Sequence, residues 1–193
     1  MKQFVRVFTN PYRLISETKE SGKPRLSLMI ILITAIFNSF IAPVIYCYLD
    51  RKDFDLTRSF GSMIGLFALS GAMYFIDCGI LWIAAKFCGQ KVTFKSVTAT
   101  WGFSFIPTLI CSILVNIDET IWYLFLGKPL LLFILNTSFI LLLIWKAIFY
   151  FIECREVLQL RGLKLVFSTI VIGVLFALLI FADAWLGLKV PML

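Results

Sequence analysis

Histidine is absent from this chain, and charged residues make up only 15% of it. The first absence removes the commonest general base of hydrolases and a principal metal ligand. There is also no Gly-x-Ser-x-Gly elbow, no phosphate-binding glycine loop and no His-Glu-x-x-His pair. The five cysteines, Cys47, Cys78, Cys88, Cys111 and Cys154, include no Cys-x-x-Cys spacing, so neither a metal cluster nor a redox dithiol is expected. They read as small apolar filler in a greasy environment. The expectation is a protein that is not an enzyme and that needs no cofactor and no metal.

What fills the chain instead is hydrophobic residue. Of 193 residues, 61% are apolar and 20 are phenylalanine, and the mean hydropathy is +0.96. A soluble domain of this size needs a charged surface to stay in water. Here the charges cluster between long apolar runs. A bilayer core of roughly 30 Å is crossed by about 20 apolar residues in helix. Five runs meet that demand, at about 26–48, 62–86, 97–117, 129–152 and 165–186. The expected fold is all-α, a polytopic bundle of five transmembrane helices (26–193) preceded by a short basic, amphipathic head (1–25). The first run is longer than a signal-peptide core and ends in Tyr46-Cys47-Tyr48, not in a small-residue cleavage site, so it is expected to persist as a transmembrane helix.

In the head, Phe4, Val5, Val7, Phe8, Leu14 and Ile15 interleave with Lys2, Arg6 and Arg13. The pattern predicts an amphipathic piece, broken at Asn10-Pro11, that lies on the inner headgroup layer. Lys2, Arg6 and Arg13 are then candidate contacts for anionic headgroups. Residues 118–128 are too short to cross and predict an interfacial turn.

The net charge of +7 is not a nucleic-acid signal, because the basic residues flank hydrophobic segments instead of forming one stripe. Lysine and arginine in the connections number twelve on the amino-terminal side against five on the other, leaving Lys146 aside. The positive-inside rule then puts the amino terminus in the cytoplasm and the carboxy terminus outside.

Asp77 is the strongest anomaly. An ionised carboxylate within a span costs about 2.5 to 3.5 kcal/mol on insertion scales. Lys146 lies inside the fourth run, and the two backbones differ in depth by roughly 4 to 5 Å at ~1.5 Å per residue. An Asp77–Lys146 pair locking the second helix to the fourth is therefore expected, with a proton or ion relay as the alternative. Asp77 and Asp183 do not match in depth, which argues against two-aspartate intramembrane proteolysis. Asn38 and Asn136 are candidates for interhelical hydrogen bonds, and Pro107 is expected to kink the third helix. Gly61-x-x-x-Gly65, Ala68-x-x-x-Ala72 and Gly173-x-x-x-Ala177 offer small faces, expected to pack within the chain in preference to forming a dimer seam.

Several stretches resemble bacterial Yip-domain proteins, relatives of the eukaryotic Rab/Ypt-interacting membrane proteins. They are Phe8-Thr9-Asn10-Pro11-Tyr12-Arg13 ahead of the first run, Gly89 to Lys95 after the second, Trp101 to Pro107 in the third, and Ile144-Trp145-Lys146 followed by Arg155-Glu156. The resemblance implies five spans and an inside amino terminus. The acidic Gly-Pro-Leu element of eukaryotic trafficking members is missing, which counts against binding of Rab-type GTPases. Some bacterial relatives partner ABC-type exporters or stress-response membrane complexes. The expected function is that of a non-enzymatic integral membrane accessory protein of a bacterial cell membrane, with the lipid bilayer, an exporter subunit or a second copy of the chain as partners. The alternative is a small transporter or channel with a polar path through Asp77 and Lys146.

Overall fold

The computed structural model describes residues 2–49, 56–114 and 129–185, and these are helical with no strand among them. Residues 50–55, 115–128, which include the expected turn over 118–128 and the end of the expected third run, and 186–193 lie outside the described residues.

The head forms two helices, α1 (Lys2–Thr9) and α2 (Pro11–Ser21). The joint is at the expected place. Asn10 caps α2, its side chain accepting the Arg13 N–H at 3.0 Å, and Pro11 occupies the first helical position, where a missing donor is harmless. Gly22 ends α2 in the left-handed conformation (φ +57). Val7, Leu14 and Ile15 are buried against protein. Part of the head's apolar side is thus used against the helical body, while Phe8 and Tyr12 stay half exposed.

The first apolar run is α3 (Arg25–Ile36), a π turn at Phe37–Ile41, and α4 (Ala42–Leu49). Pro43 has no N–H to offer the ladder, and just ahead of it the Ala42 N–H reaches back five residues to Phe37 O. The second run is α5 (Leu56–Phe87), 32 residues, or about 48 Å of helix. Its end is a Schellman motif: Gly89 N–H bonds Lys86 O and Gln90 N–H bonds Ala85 O, with Gly89 at φ +78. Thr93 then caps α6 (Phe94–Thr100) through the Ser96 N–H.

The third run is not one helix. A 3-10 turn at Trp101–Ser104 separates α6 from α7 (105–114). The break lies one turn ahead of Pro107, because the missing proline N–H is the one that would have bonded the carbonyl of residue 103. α8 (Pro129–Ile152) leads into a π turn at Glu153–Val157, and α9 (Leu163–Trp185) follows. Four apolar segments are long enough to cross a bilayer: Arg25–Ile45, Phe60–Phe87, Phe94–Leu114 and Phe133–Val157. In α9 the described apolar stretch is Leu163–Leu178.

The third run is the axis of the fold. Residues 101–108 are all buried, and the segment packs against α3, α5 and α8. The Trp101 ring lies 5.1 Å from Tyr150 on α8 and 5.2 Å from Phe176 on α9, nearly parallel to both. Among the described glycines, Gly102 meets a neighbouring backbone most tightly. A Cβ there would overlap Ser27 Oγ and stand 2.5 Å from Ser27 O and 2.8 Å from Ser27 C. The small faces do not pack within the chain among the described residues: a Cβ at Gly61, Gly65 or Gly173 would meet nothing within 4 Å, and Ala68, Ala72 and Ala177 are exposed. α8 and α9 turn Leu130, Phe133, Leu143 and Phe167 outward, as lipid-facing surfaces do. The head, the α5–α6 link and the α8–α9 link, the three basic segments counted together above, meet at one end of the molecule.

Candidate functional site

A seam of buried polar groups follows the third run. Thr100, Ser104, Thr108 and Ser112, spaced by four, are each no more than 3% exposed. Helical spacing of four keeps such hydroxyls on one side; Thr100 and Thr108 meet side chains of the π turn and α8, while Ser104 bonds Trp101 O within its own turn. Thr100 Oγ1 donates to Glu153 Oε1 at 2.6 Å, with Ser96 O a competing acceptor at 2.9 Å. The Lys146 ammonium donates to Thr108 Oγ1 at 2.7 Å. From α5, the Tyr74 hydroxyl donates to Thr98 O at 2.5 Å. From α3, Ser27 Oγ accepts the Gly102 N–H at 2.9 Å and reaches Thr98 O at 3.4 Å.

Asp77 stands on the inward stripe of α5, with Tyr74, Cys78, Leu81 and Ala85, all buried. The Lys146 ammonium, expected to pair with Asp77, is held by Thr108 of the third run. Asn38 is buried at the π turn of the first run, beside a small gap lined by Thr34, Ser70 and Phe105. Asn136 is apart from this group, exposed on α8. Pro107 lies beside Thr108 in the first turn of α7.

Glu153 was not foreseen. It sits beside Arg155 and Glu156 in a charged connection, which reads as a solvated loop, yet it is 2% exposed. The π turn that carries it (Glu153–Val157) is the only available clue, since π turns gather at functional sites.

In the head, Glu17 gathers the candidate headgroup contacts. Arg6 Nη1 meets Glu17 Oε2 and Arg13 Nε meets Glu17 Oε1, both at 2.7 Å. The hydrogen bond from Arg13, with the charges of both arginines, holds the Glu17 carboxyl below the usual range. Tyr12 is pushed the other way, chiefly by its hydrogen bond to Glu156. The Lys2 side chain lies outside the described residues.

Chemically, the seam offers hydroxyls, two buried carboxyls and one ammonium, and the bonds Thr100–Glu153, Lys146–Thr108 and Gly102–Ser27 join different segments. That arrangement fixes helices against each other. The model of the Yip1 domain matches residues 5–182, while no curated protein and no solved structure matches the chain. Apolar helices of membrane-spanning length, the basic connections gathered at one end, and a family match over most of the sequence agree: this chain belongs to the Yip1 domain family of membrane proteins.

Proposed function

We propose that the chain is a non-catalytic accessory protein of a bacterial cell membrane that holds other membrane components. In this reading five helices cross the bilayer, α9 being the fifth, with the head in the cytoplasm and the carboxy terminus outside. One observation carries the reading: the buried polar groups are used to tie segments together. Thr100 holds Glu153, Thr108 holds Lys146, and Ser27 holds Gly102. A scaffold of that kind has its outward faces left for partners, and an ABC-type exporter subunit is the partner we favour. Crosslinking in native membranes followed by purification should recover a stable membrane-protein partner. A monodisperse chain that crosslinks to nothing but lipid would overturn the proposal.

The second reading, a small transporter or channel, draws on Asp77, buried in one apolar helix, and Lys146, half-buried in another, since ionisable groups within membrane segments mark ion paths in many membrane proteins. Ion flux into liposomes holding the purified chain, abolished by Asp77→Asn, would establish it in place of the accessory role.

A further inference from the structure

At the end where the basic segments meet, a pocket of about 1040 Å³ opens between α2, the α5–α6 link and the start of α9. Its wall carries four cationic side chains, Lys19, Arg155, Arg161 and Lys164, with the amides of Gln90 and Gln159 among them. The one acidic side chain of the lining, Glu156, is already engaged. Arg155 Nε lies 3.4 Å from its Oε1, and Tyr12 hydrogen-bonds to it. An excess of positive charge remains. Lys19 Nζ donates to Glu156 O at 2.5 Å, so the head is a fixed wall of the pocket.

The backbone of the wall is unusual. Gln159 is a non-glycine residue in the left-handed region (φ +57), a conformation that L side chains avoid and that accumulates at binding sites. Leu158 and Leu160 on either side of it are fully buried. They pin the turn and leave the exposed Gln159 at the pocket. Gly162 (φ +59) then starts the 23-residue α9 at the same wall, and the first amides of a helix favour an anion.

We propose that this pocket binds the phosphate of an anionic lipid headgroup. Guanidinium forks and ammonium groups in one concavity match phosphate oxygens. The same chemistry would accept a soluble phosphate ester. The surroundings select the lipid: directly beyond the pocket α9 exposes Leu163 and Phe167, at 88% and 71%, and α5 ends in Phe87 at 88%. A phosphate in the pocket would have apolar walls beside it for acyl chains. The site is distinct from Lys2, Arg6 and Arg13 in the head, and it does not depend on any protein partner.

The test is native mass spectrometry of the full chain in an uncharged detergent, titrated separately with phosphatidylglycerol, phosphatidylcholine and glycerol 3-phosphate. Phosphatidylglycerol should be retained best. Arg161 and Lys164 are exposed, so the variant Arg161→Gln/Lys164→Gln should keep its fold and bind roughly thirtyfold more weakly, each basic side chain at an anionic lipid surface contributing its usual share. Equal retention of phosphatidylglycerol by this variant, or equal retention of phosphatidylcholine by the unaltered chain, would overturn the site. Glycerol 3-phosphate bound as tightly as the lipid would overturn the lipid assignment. Should the variant not fold, the unaltered chain still decides the matter: its affinity for phosphatidylglycerol must fall with rising ionic strength, and an affinity indifferent to salt would refute the proposal.

Discussion

Replacing Gly102 by alanine tests the packing at the centre of this fold. Two effects oppose each other. An alanine in a helical turn is favoured over glycine by about 1 kcal/mol, and Gly102 has no left-handed conformation to lose. Against this, the new methyl would overlap Ser27 Oγ and stand 2.5 Å from Ser27 O and 2.8 Å from Ser27 C. The Oγ can rotate away, but the carbonyl belongs to the α3 backbone and cannot. Relief requires α3 and the 3-10 turn to part by several tenths of an ångström, which stretches the Gly102–Ser27 hydrogen bond and disturbs the Trp101 ring contacts with Tyr150 and Phe176. Overpacking of this kind costs about 1 to 3 kcal/mol, and the strained hydrogen bond adds about 1 kcal/mol. The net expectation is a loss of roughly 2 kcal/mol, read as a lowered midpoint of thermal unfolding in detergent by tryptophan fluorescence. Gly61→Ala, Gly65→Ala and Gly173→Ala meet open space and should be neutral or mildly stabilising in the same assay. Adding Ser27→Ala to Gly102→Ala should restore little, since the backbone contacts persist. A Gly102→Ala protein as stable as the Gly61→Ala protein, or full rescue by Ser27→Ala, would refute the reasoning.

Thr100→Val removes the hydroxyl bonded to Glu153 and should lower stability by about 1 to 3 kcal/mol, whereas Glu153→Gln, which keeps an acceptor, should be milder; denaturation in mixed micelles ranks the two. A double-mutant cycle of Asp77→Asn and Lys146→Met should show a coupling of about 0.5 to 3 kcal/mol, and additive losses would argue against their interaction. Because the Arg13 hydrogen bond lowers the folded-state pKa of Glu17, its contribution to holding α1 against α2 through Arg6 is present above the ordinary carboxylate pKa and lost as the pH falls through the lowered one. Hydrogen exchange of the Val7 and Leu14 amides should therefore accelerate at acid pH, and Glu17→Gln should remove that dependence.

The apolar runs gave away the helices because a stretch of such length has no other stable form in lipid. Asn10-Pro11 marked the boundary between the two head helices for reasons of backbone chemistry that act locally. Asp77 was visible because a charge stands out in an apolar run. Glu153 was hidden, since next to Arg155 and Glu156 nothing local says that one of three charged neighbours turns inward. The hydroxyls of Thr100 and Thr108 were hidden for another reason: serine and threonine can bond their own helix carbonyls, as Ser104, Thr137 and Ser138 do with Trp101, Phe133 and Ile134, so spacing does not reveal an interhelical use. Glycine spacing misled at Gly61 and Gly65, because a small face permits close approach without supplying the neighbour. Asn136 likewise could not reveal which way its helix would be turned, as that depends on the packing of α8 against the third run.

The docking of the head has a consequence for how the protein is made. Val7, Leu14 and Ile15 are covered, and Lys19 is tied to the carbonyl of Glu156, a residue 137 positions further on. During synthesis from the amino terminus, that berth does not exist until the fourth apolar run has left the ribosome. Among the described residues, the earliest part of the chain to emerge is thus among the latest to settle, and it waits through several insertion events with its greasy side unsheltered.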